Sequence, residues 1–269
     1  PIIYSYTQNG RNNDKSFTSG VVVKNKDFKN NEYTHYPVLT IPDTVTIENI
    51  TVTEKENNAG LPSYIASVSA TEYPVVKIDN EAFAAFSTLK TVTIGKFIEE
   101  IGYRAFGDCK KLNVFNFSQE SVLKYVGDYA FESTEALGIS PAFTLPDTVE
   151  YLGNFAFRYS GWTNVRNKES TASGGESVLR VRANWKFIGY KCFFGTGFAE
   201  VVFDPGCHFE GQIDTETGGA IESSKGYKTI RKEENLIGAS LFACCKRLNN
   251  VQLLVDPGEA NGLNIIPDA

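Results

Sequence analysis

The chain has 269 residues, which is enough for one large domain or two ordinary ones. Its hydrophobic content of 42% and charged content of 22% are typical of a folded globular protein. Lys and Arg number 26 against 32 Asp and Glu, and the net charge of −6 argues against nucleic-acid binding, which usually needs a basic surface. No apolar run reaches the roughly 20 residues of a membrane-spanning helix.

Residues 1–38 precede the regular part of the sequence. The stretch SFTSGVVVKNKDF is typical of one or two strands, and QNGRNND before it carries turn signals. We expect a β-rich N-terminal cap or extension here, because the first unit of a repeat array needs its apolar end covered. Pro1 is not an initiator residue and no signal-like start follows it, which favours a processed or shortened chain.

A unit similar to IGYRAFGDCKKL recurs along most of the remaining chain. The Phe of its Ala-Phe pair, or of the pair that replaces it, occurs six times, as Phe83, Phe106, Phe131, Phe157, Phe193 and Phe242. The first three spacings are 23, 25 and 26 residues, within the roughly 20–29 residues of a leucine-rich repeat. The later spacings of 36 and 49 keep the frame if insertions lie at about 163–177 and 204–233.

Each position of the unit predicts a structural role. An aliphatic residue five positions before the Phe is followed by Gly in five of the six copies, and we expect a tight corner there because Gly tolerates left-handed turns. Three positions after the Phe, a column of mostly small residues predicts closely stacked coils. That column contains Cys109 and Cys245, which we expect to be buried thiols, whereas Cys207 lies on the second insertion and should be accessible.

A short strand follows each turn. The segments TVTI, VFNF, AFTL, VLRV, EVVF and NVQL alternate with period two, and one unit cannot bury its apolar face unless neighbours stack on it. TIPDTV at 40–45 and TLPDTV at 144–149 are near copies, so we place the array at residues 39–257. Residues 46–74 are interpreted as an extended connection, and residues 258–269 as a C-terminal cap or tail.

The unit resembles that of the BspA-like leucine-rich repeat family, roughly L-x-x-V-x-I-P-x-x-V-x-x-I-G-x-x-A-F-x-x-C-x-x-L. LPDTVEYLGNFAF and IGYRAFGDCKKL match it almost position for position, and the resemblance covers about residues 39–257. The last unit departs from it, with Glu234 at a position that is apolar in the other units, and the fourth unit lacks a clear Leu. The resemblance implies a leucine-rich-repeat solenoid, a β-rich α/β right-handed coil with one parallel sheet face and short helical or irregular turns.

Members of this family look like surface or secreted proteins that are linked to adhesion and to contact with host proteins. The resemblance therefore implies a non-enzymatic protein-interaction module at the cell surface or outside the cell, binding a host or extracellular matrix protein. Because one fold serves many functions, this implication has to be tested on the residues of this chain.

Residues suited to catalysis or metal binding are few. The histidines are His35 and His208, which we interpret as surface or capping residues, and no nucleophile elbow, zinc motif or phosphate loop is present. The spacing of the second insertion's carboxylates fits no calcium loop, so we expect a solvated excursion without a metal or cofactor. These carboxylates are Asp204, Glu210, Asp214, Glu216 and Glu222. An enzyme remains an alternative if a cleft unites Asp214, Glu216 and His208.

The outward strand positions differ between the two halves of the array. The early ones are small and neutral: Thr91, Thr93, Val114, Asn116, Ala142 and Thr144. The later ones are charged: Arg180, Arg182, Glu200 and Asp204. The simplest interpretation is a solvated sheet face, but the adjacent insertions favour a partner-binding strip. An alternative function is glycan binding, with sugar rings stacked on Trp162, Trp185, Tyr190 or Tyr227.

Overall fold

The computed structural model of the chain describes residues 3–7, 20–24, 37–56, 62–138, 143–162, 178–209, 211–213, 221–222, 228–229 and 236–253. Across these residues the protein consists of strands and turns, with no α-helix. The strands are β1 (Ile3–Thr7), β2 (Gly20–Lys24), β3 (Val38–Ile41), β4 (Thr44–Glu56), β5 (Pro62–Ile78), β6 (Thr91–Ile94), β7 (Glu100–Ile101), β8 (Val114–Asn116), β9 (Tyr125–Val126), β10 (Tyr151–Leu152), β11 (Val178–Val181), β12 (Phe187–Ile188), β13 (Glu200–Phe203), β14 (Gly211–Ile213), β15 (Ile221–Glu222), β16 (Lys228–Thr229), β17 (Leu236–Gly238) and β18 (Asn250–Leu253).

The repeats stack as coils whose first side is a parallel sheet. Strands β3, β6 and β8 pair in parallel at the N-terminal end of the array, and β11, β13 and β18 pair in parallel at its C-terminal end. Most of their inward side chains are buried, as for Val92, Leu179 and Val201, whereas Val251 in the last strand is 47% exposed. The alternation of these segments thus predicted both the strands and their buried face, and the solenoid fold is confirmed.

The first side is interrupted at the fourth unit, where the sequence predicted a strand over AFTL. Residues 143–146 form no strand, although Phe143 and Leu145 still point into the core with 6% and 3% of their surface exposed. The carbonyls of Leu145 and Pro146 accept hydrogen bonds from the guanidinium of Arg182 instead of from a neighbouring strand. Pro146 also has no N–H to offer a ladder. The prediction of a strand here is wrong for these residues.

A second parallel sheet, which the sequence did not indicate, forms another side of the coils. It runs through β5, β7, β9, β10, β12 and β17, and most of these strands are two residues long. An aromatic cluster packs on this sheet. The rings of Tyr125 and Tyr151 stack with their centres 4.7 Å apart, and Phe187 in the same cluster is 2% exposed. At its N-terminal end Lys77 and Glu100 form a buried ion pair.

The third side, here called the turn face, consists of the turns at 78–88, 101–111, 126–136, 152–162, 188–198 and 237–247. Inside it, the Phe residues of the repeat form one continuous stack, with ring centroids 5.2–5.9 Å apart and planes within 13° of parallel. Backbone N–H groups of each turn donate to carbonyls of the next, as from Phe106 to Ala130 at 2.9 Å. The turns are thereby tied to each other along the whole array.

The glycines after the aliphatic column have a different role from the predicted one. Left-handed backbone occurs two residues further on, at non-glycine residues such as Arg104 and Tyr129, with φ of 48° and 59°. A Cβ on Gly153 would instead lie 2.3 Å from the backbone nitrogen of Asp128 in the preceding turn, and one on Gly189 would lie 2.3 Å from that of Asn154. Glycine is required here because successive turns touch.

The region around residues 46–74 is more regular than an extended connection. Strands β4 and β5 form a long antiparallel hairpin that pairs Thr44 with Pro74 and Glu56 with Pro62. In the N-terminal segment, β1 and β2 pair in antiparallel fashion, and β2 pairs in parallel with β5 at the edge of the second sheet. The proposed domain boundaries, 1–38 for the cap and 258–269 for the tail, stay predictions. Residues 163–177, most of 204–233 and all of 258–269 lie outside the described residues.

The five thiols differ in burial. Cys109 is fully buried, its Sγ donates to the carbonyl of Phe83 at 3.0 Å, and burial raises the pKa of its thiol to about 12. Burial also raises the pKa values of Cys192 and Cys245. Cys207 is less accessible than expected from its position on an insertion. It is half-buried, donates to a carbonyl of β11 at 3.2 Å, and has a pKa raised to about 12, mainly by burial.

We therefore expect native labelling at pH 8 with a thiol-disulfide reagent to modify one thiol quickly, at the exposed Cys244. The thiolate is the reactive form, and a pKa of about 12 leaves roughly one part in 10,000 of Cys109 or Cys207 ionised at this pH. Replacing Cys244 with Ser should abolish the fast phase, whereas Cys207→Ser should leave it intact. Fast modification of Cys109 would show that the small column does not face the core.

Candidate partner-binding surface

The predicted strip lies on the outer surface of the sheet formed by β11, β13 and β18. The register places Arg180 beside Val202 and Gln252, and Val178 beside Glu200 and Asn250. Because the alternate residues Leu179 and Val201 are buried, these six side chains point to the opposite, outward surface, where the central Val202 is only 5% exposed. The core thus holds the strip on a rigid support.

Polar contacts link the strip across its three strands. The guanidinium of Arg180 lies 2.9 Å from a carboxylate oxygen of Asp204, and their side chains are 61% and 28% exposed. The carboxylate of Glu200 accepts a hydrogen bond from the amide of Asn250 at 2.8 Å and another from Gln252. Arg180, Glu200 and Asp204 are therefore brought together on one surface. Asn250 and Gln252, the outward positions of NVQL, complete a set that the charge pattern alone missed.

Arg182 does not belong to this exposed set. Its guanidinium donates to the carbonyls of Pro146 and Leu145 at 3.0 and 3.2 Å, and it lies 2.8 Å from the carboxylate of Asp147. Only 23% of its side chain is exposed. Arg182 thus ties the irregular fourth coil to the next one, and its removal should cost stability as well as charge.

The opposite end of the array has a neutral surface. The outward positions of β3, β6 and β8 carry no charged side chain: they are Val38, Thr40, Thr91, Thr93, Val114 and Asn116. The amide of Asn116 donates to the hydroxyl of Thr93 at 3.2 Å, and Val38 is 59% exposed. The outer surface of the first sheet side is therefore neutral at the N-terminal end of the array and charged at the C-terminal end.

The aromatic residues considered for sugar stacking are mostly unsuited to it. Trp162 and Trp185 are 7% and 3% exposed, and the indole N–H of Trp162 donates to the carbonyl of Phe143 at 2.9 Å. Tyr190 is half-buried, and Tyr227 lies outside the described residues. Both tryptophans are therefore core residues.

The remaining chemical groups form no cluster within the described part of the chain. His208 is exposed, whereas His35, Asp214 and Glu216 lie outside the described residues. Among the residues that are described, no group of His, Cys, Asp and Glu is arranged to hold a metal ion. In the same residues no helix is long and apolar enough to cross a membrane.

Comparison with solved structures supports the same fold. A T. pallidum leucine-rich repeat protein is 14% identical and has a TM-score of 0.50, with 94% of this chain and 80% of that chain covered. A leucine-rich repeat protein from Bacteroides ovatus ATCC 8483 is 20% identical with a TM-score of 0.50. There the match covers 93% of this chain and 51% of the other, so this chain spans about half the length of that protein.

Sequence comparison identifies the repeat itself. No curated protein matches the chain. Six copies of the BspA type Leucine rich repeat region match it, in stretches that cover residues 63–180 and 123–208. Together these stretches contain more than half of the 269 residues, including the Phe stack from Phe83 to Phe193. The chain therefore belongs to the BspA-type leucine-rich repeat family.

Proposed function

We propose that the chain is a non-enzymatic protein-interaction module that binds a host or extracellular matrix protein through the outer surface of β11, β13 and β18. The observation that carries the proposal is the surface set of Arg180, Glu200 and Asp204, held by strands β11 and β13, whose inward side chains are buried. A rigid scaffold holds charged side chains in place before binding, so little conformational entropy is lost when they meet a complementary charged surface.

Two further arguments support a role in adhesion at the cell surface or outside the cell. The repeat family is a protein-interaction family, and its coils form an extended surface that can contact a macromolecule along several units. The proposed strip is also next to the segment 204–233, which departs from the repeat period and begins at Asp204 itself. Loops on a rigid scaffold are where binding residues concentrate.

Arg180→Ala should weaken binding to the protein partner and leave the melting temperature nearly unchanged. The ion pair of Arg180 lies at the surface, and such pairs contribute about 0–1 kcal/mol to stability. Binding is measured by screening the purified chain against a panel of host and matrix proteins and then titrating the best binder. The loss of affinity should shrink as salt rises, because the charges are screened.

Arg182→Ala and Asn116→Ala are the matched controls. Arg182→Ala should lower the melting temperature, since its carbonyl and carboxylate contacts hold the fourth coil. For this reason a double Arg180 and Arg182 replacement would mix a binding effect with a folding effect. Asn116→Ala, on the neutral sheet, should change neither quantity. Unchanged low-salt affinity of Arg180→Ala would identify the strip as a solvated face, and binding to glycans alone would favour the alternative function.

A further inference from the structure

The charges on the turn face separate along the array. Its first three turns contain most of its charged residues and all of its carboxylates, which are Asp79, Glu81, Asp108, Asp128, Glu132 and Glu135. In its last three turns all of the charged residues are cations: Arg158, Lys191, Lys246 and Arg247. Arg158 pairs with Glu132 at 3.5 Å, and the turns at 188–198 and 237–247 contain no carboxylate of their own. On a chain of net charge −6 this is a local reversal of sign.

Aromatic rings accompany these cations. The guanidinium of Arg158 lies 5.0 Å from the ring centre of Tyr159 and 5.9 Å from that of Phe194. The ammonium of Lys191 lies 4.9 Å from the ring of Tyr190 and 5.4 Å from that of Phe194. Such contacts hold the long side chains of Arg158 and Lys191 in place.

A groove of about 400 Å³ opens beside this cluster, where the last three turns meet. It is lined by Tyr159, Gly195, Thr196, Gly197, Cys244, Lys246 and Arg247. Tyr159 is 45% exposed and Lys246 and Arg247 are exposed, whereas the glycines leave a floor of bare backbone. A Cβ on Gly195 would lie 2.6 Å from the ring of Tyr159, so the ring rests directly on that floor.

Two backbone N–H groups of this region already donate to the neighbouring turns. The N–H of Tyr159 donates to the carbonyl of Phe194 at 2.8 Å, and that of Gly195 donates to the carbonyl of Ala243 at 2.9 Å. An extended peptide that recognises a sheet edge needs such groups to be available. These two N–H groups are therefore not available to a ligand, and the side chains best suited to recognise one in this groove are one aromatic ring and two cations.

We infer that this groove binds an anionic glycan, a sugar chain that carries sulfate or carboxylate groups. Lys246 and Arg247 supply charge-assisted hydrogen bonds to the anionic groups, and Arg is suited to planar, bidentate recognition of them. Tyr159 supplies an apolar ring for the C–H surface of a pyranose and a hydroxyl for its polar edge. The site is separate from the sheet strip of Arg180, Glu200 and Asp204, and it uses none of the buried tryptophans.

The test compares two double variants in the whole chain. Lys246→Gln with Arg247→Gln removes the cations of the groove, whereas Lys110→Gln with Lys111→Gln removes two cations from the same positions of the second turn. Binding of heparin and of a polyuronate is measured by calorimetry, with dextran as the neutral sugar. We expect the groove variant to weaken heparin binding by about tenfold or more, since each charge-assisted contact is expected to contribute about a factor of ten. The control pair should change it little.

Further measurements separate the proposed ligand from general attraction to charge. Tyr159→Ala should also weaken heparin binding, and Arg180→Ala should leave it unchanged. Melting temperatures of the charge variants should lie close to that of the parent, because the replaced side chains are largely exposed, whereas Tyr159→Ala should lower it because the ring packs on Gly195 and Phe194. The inference is overturned if neither anionic polymer binds or if the two double variants weaken heparin binding equally. It is also overturned if polyglutamate competes as well as heparin does and Tyr159→Ala weakens polyglutamate binding to the same extent.

Discussion

Phe106→Ala is expected to lower the free energy of unfolding by about 3–5 kcal/mol, the usual cost of emptying a large aromatic site in a core. Phe106 is fully buried, and its ring stacks on Phe83 at 5.3 Å and on Phe131 at 5.6 Å. It also meets the edge of Phe115 at 5.1 Å. The replacement thus removes contacts within the coil and to both neighbouring coils. Urea unfolding followed by circular dichroism measures the effect.

Phe97→Ala is the matched control, because Phe97 lies in the same part of the array but outside the stack. Its side chain is 37% exposed, and the ammonium of Lys96 lies 5.2 Å from its ring centre. The expected loss is about 1 kcal/mol or less, as for most surface substitutions. A loss for Phe106→Ala no greater than that for Phe97→Ala would mean that the Phe column does not hold the coils together.

The repeat period was readable from the sequence because the core of a solenoid repeats its contacts. Phe, aliphatic and small residues recur at fixed distances from each other, and each recurrence corresponds to one buried column, such as the one that contains Thr134 and Cys109. The second sheet was not readable in this way. Its strands are two residues long, and a stretch such as Phe187–Ile188 is too short to show an alternation.

The glycine column shows how a correct pattern can be assigned the wrong cause. Gly was expected to permit a left-handed turn, but the left-handed residues are non-glycine ones such as Tyr129 and Lys191, at φ of 59° and 51°. The ladder between turns fixes their backbone, since the N–H of Tyr129 donates to the carbonyl of Asn154 at 2.9 Å. The distance between turns, which requires Gly, is a tertiary property and is not visible in one repeat.

The sequence predicted the candidate surfaces only in part, because they too depend on contacts between different coils. Alternation along VLRV and EVVF correctly placed Arg180 and Glu200 on the outer surface, because strand period decides direction. It could not show that Arg182, just past the end of β11, turns towards the carbonyls of the fourth coil. The groove at Lys246 and Arg247 depends on three turns coming together, which the order of residues in a single turn does not reveal.

Gly153→Ala is expected to destabilise the protein by about 1–3 kcal/mol, although the change adds one methyl group. An ideal Cβ there would lie 2.3 Å from the nitrogen of Asp128 and 2.5 Å from the carbonyl carbon of Gly127, so the turns must move apart. Moving them strains the hydrogen bond from the N–H of Asn154 to the carboxylate of Asp128, at 2.7 Å. The loss should appear in the melting temperature and in urea unfolding.

Gly107→Ala tests whether the closeness of backbone, and not the loss of any glycine, is responsible. The Cβ of that variant would lie 2.4 Å from the Cγ of Arg104, so the clash is with a side chain, which a change of χ1 can relieve at the expense of the ion pair between Arg104 and Asp108. Ala also restricts the unfolded chain more than Gly does, and this lower unfolded-state entropy offsets part of any remaining loss of stability. We therefore expect Gly107→Ala to cost clearly less than Gly153→Ala. Equal losses of stability in the two variants would show that packing inside each turn sets the requirement for Gly. If Gly153→Ala leaves the stability unchanged, successive turns are farther apart than their hydrogen bonds indicate.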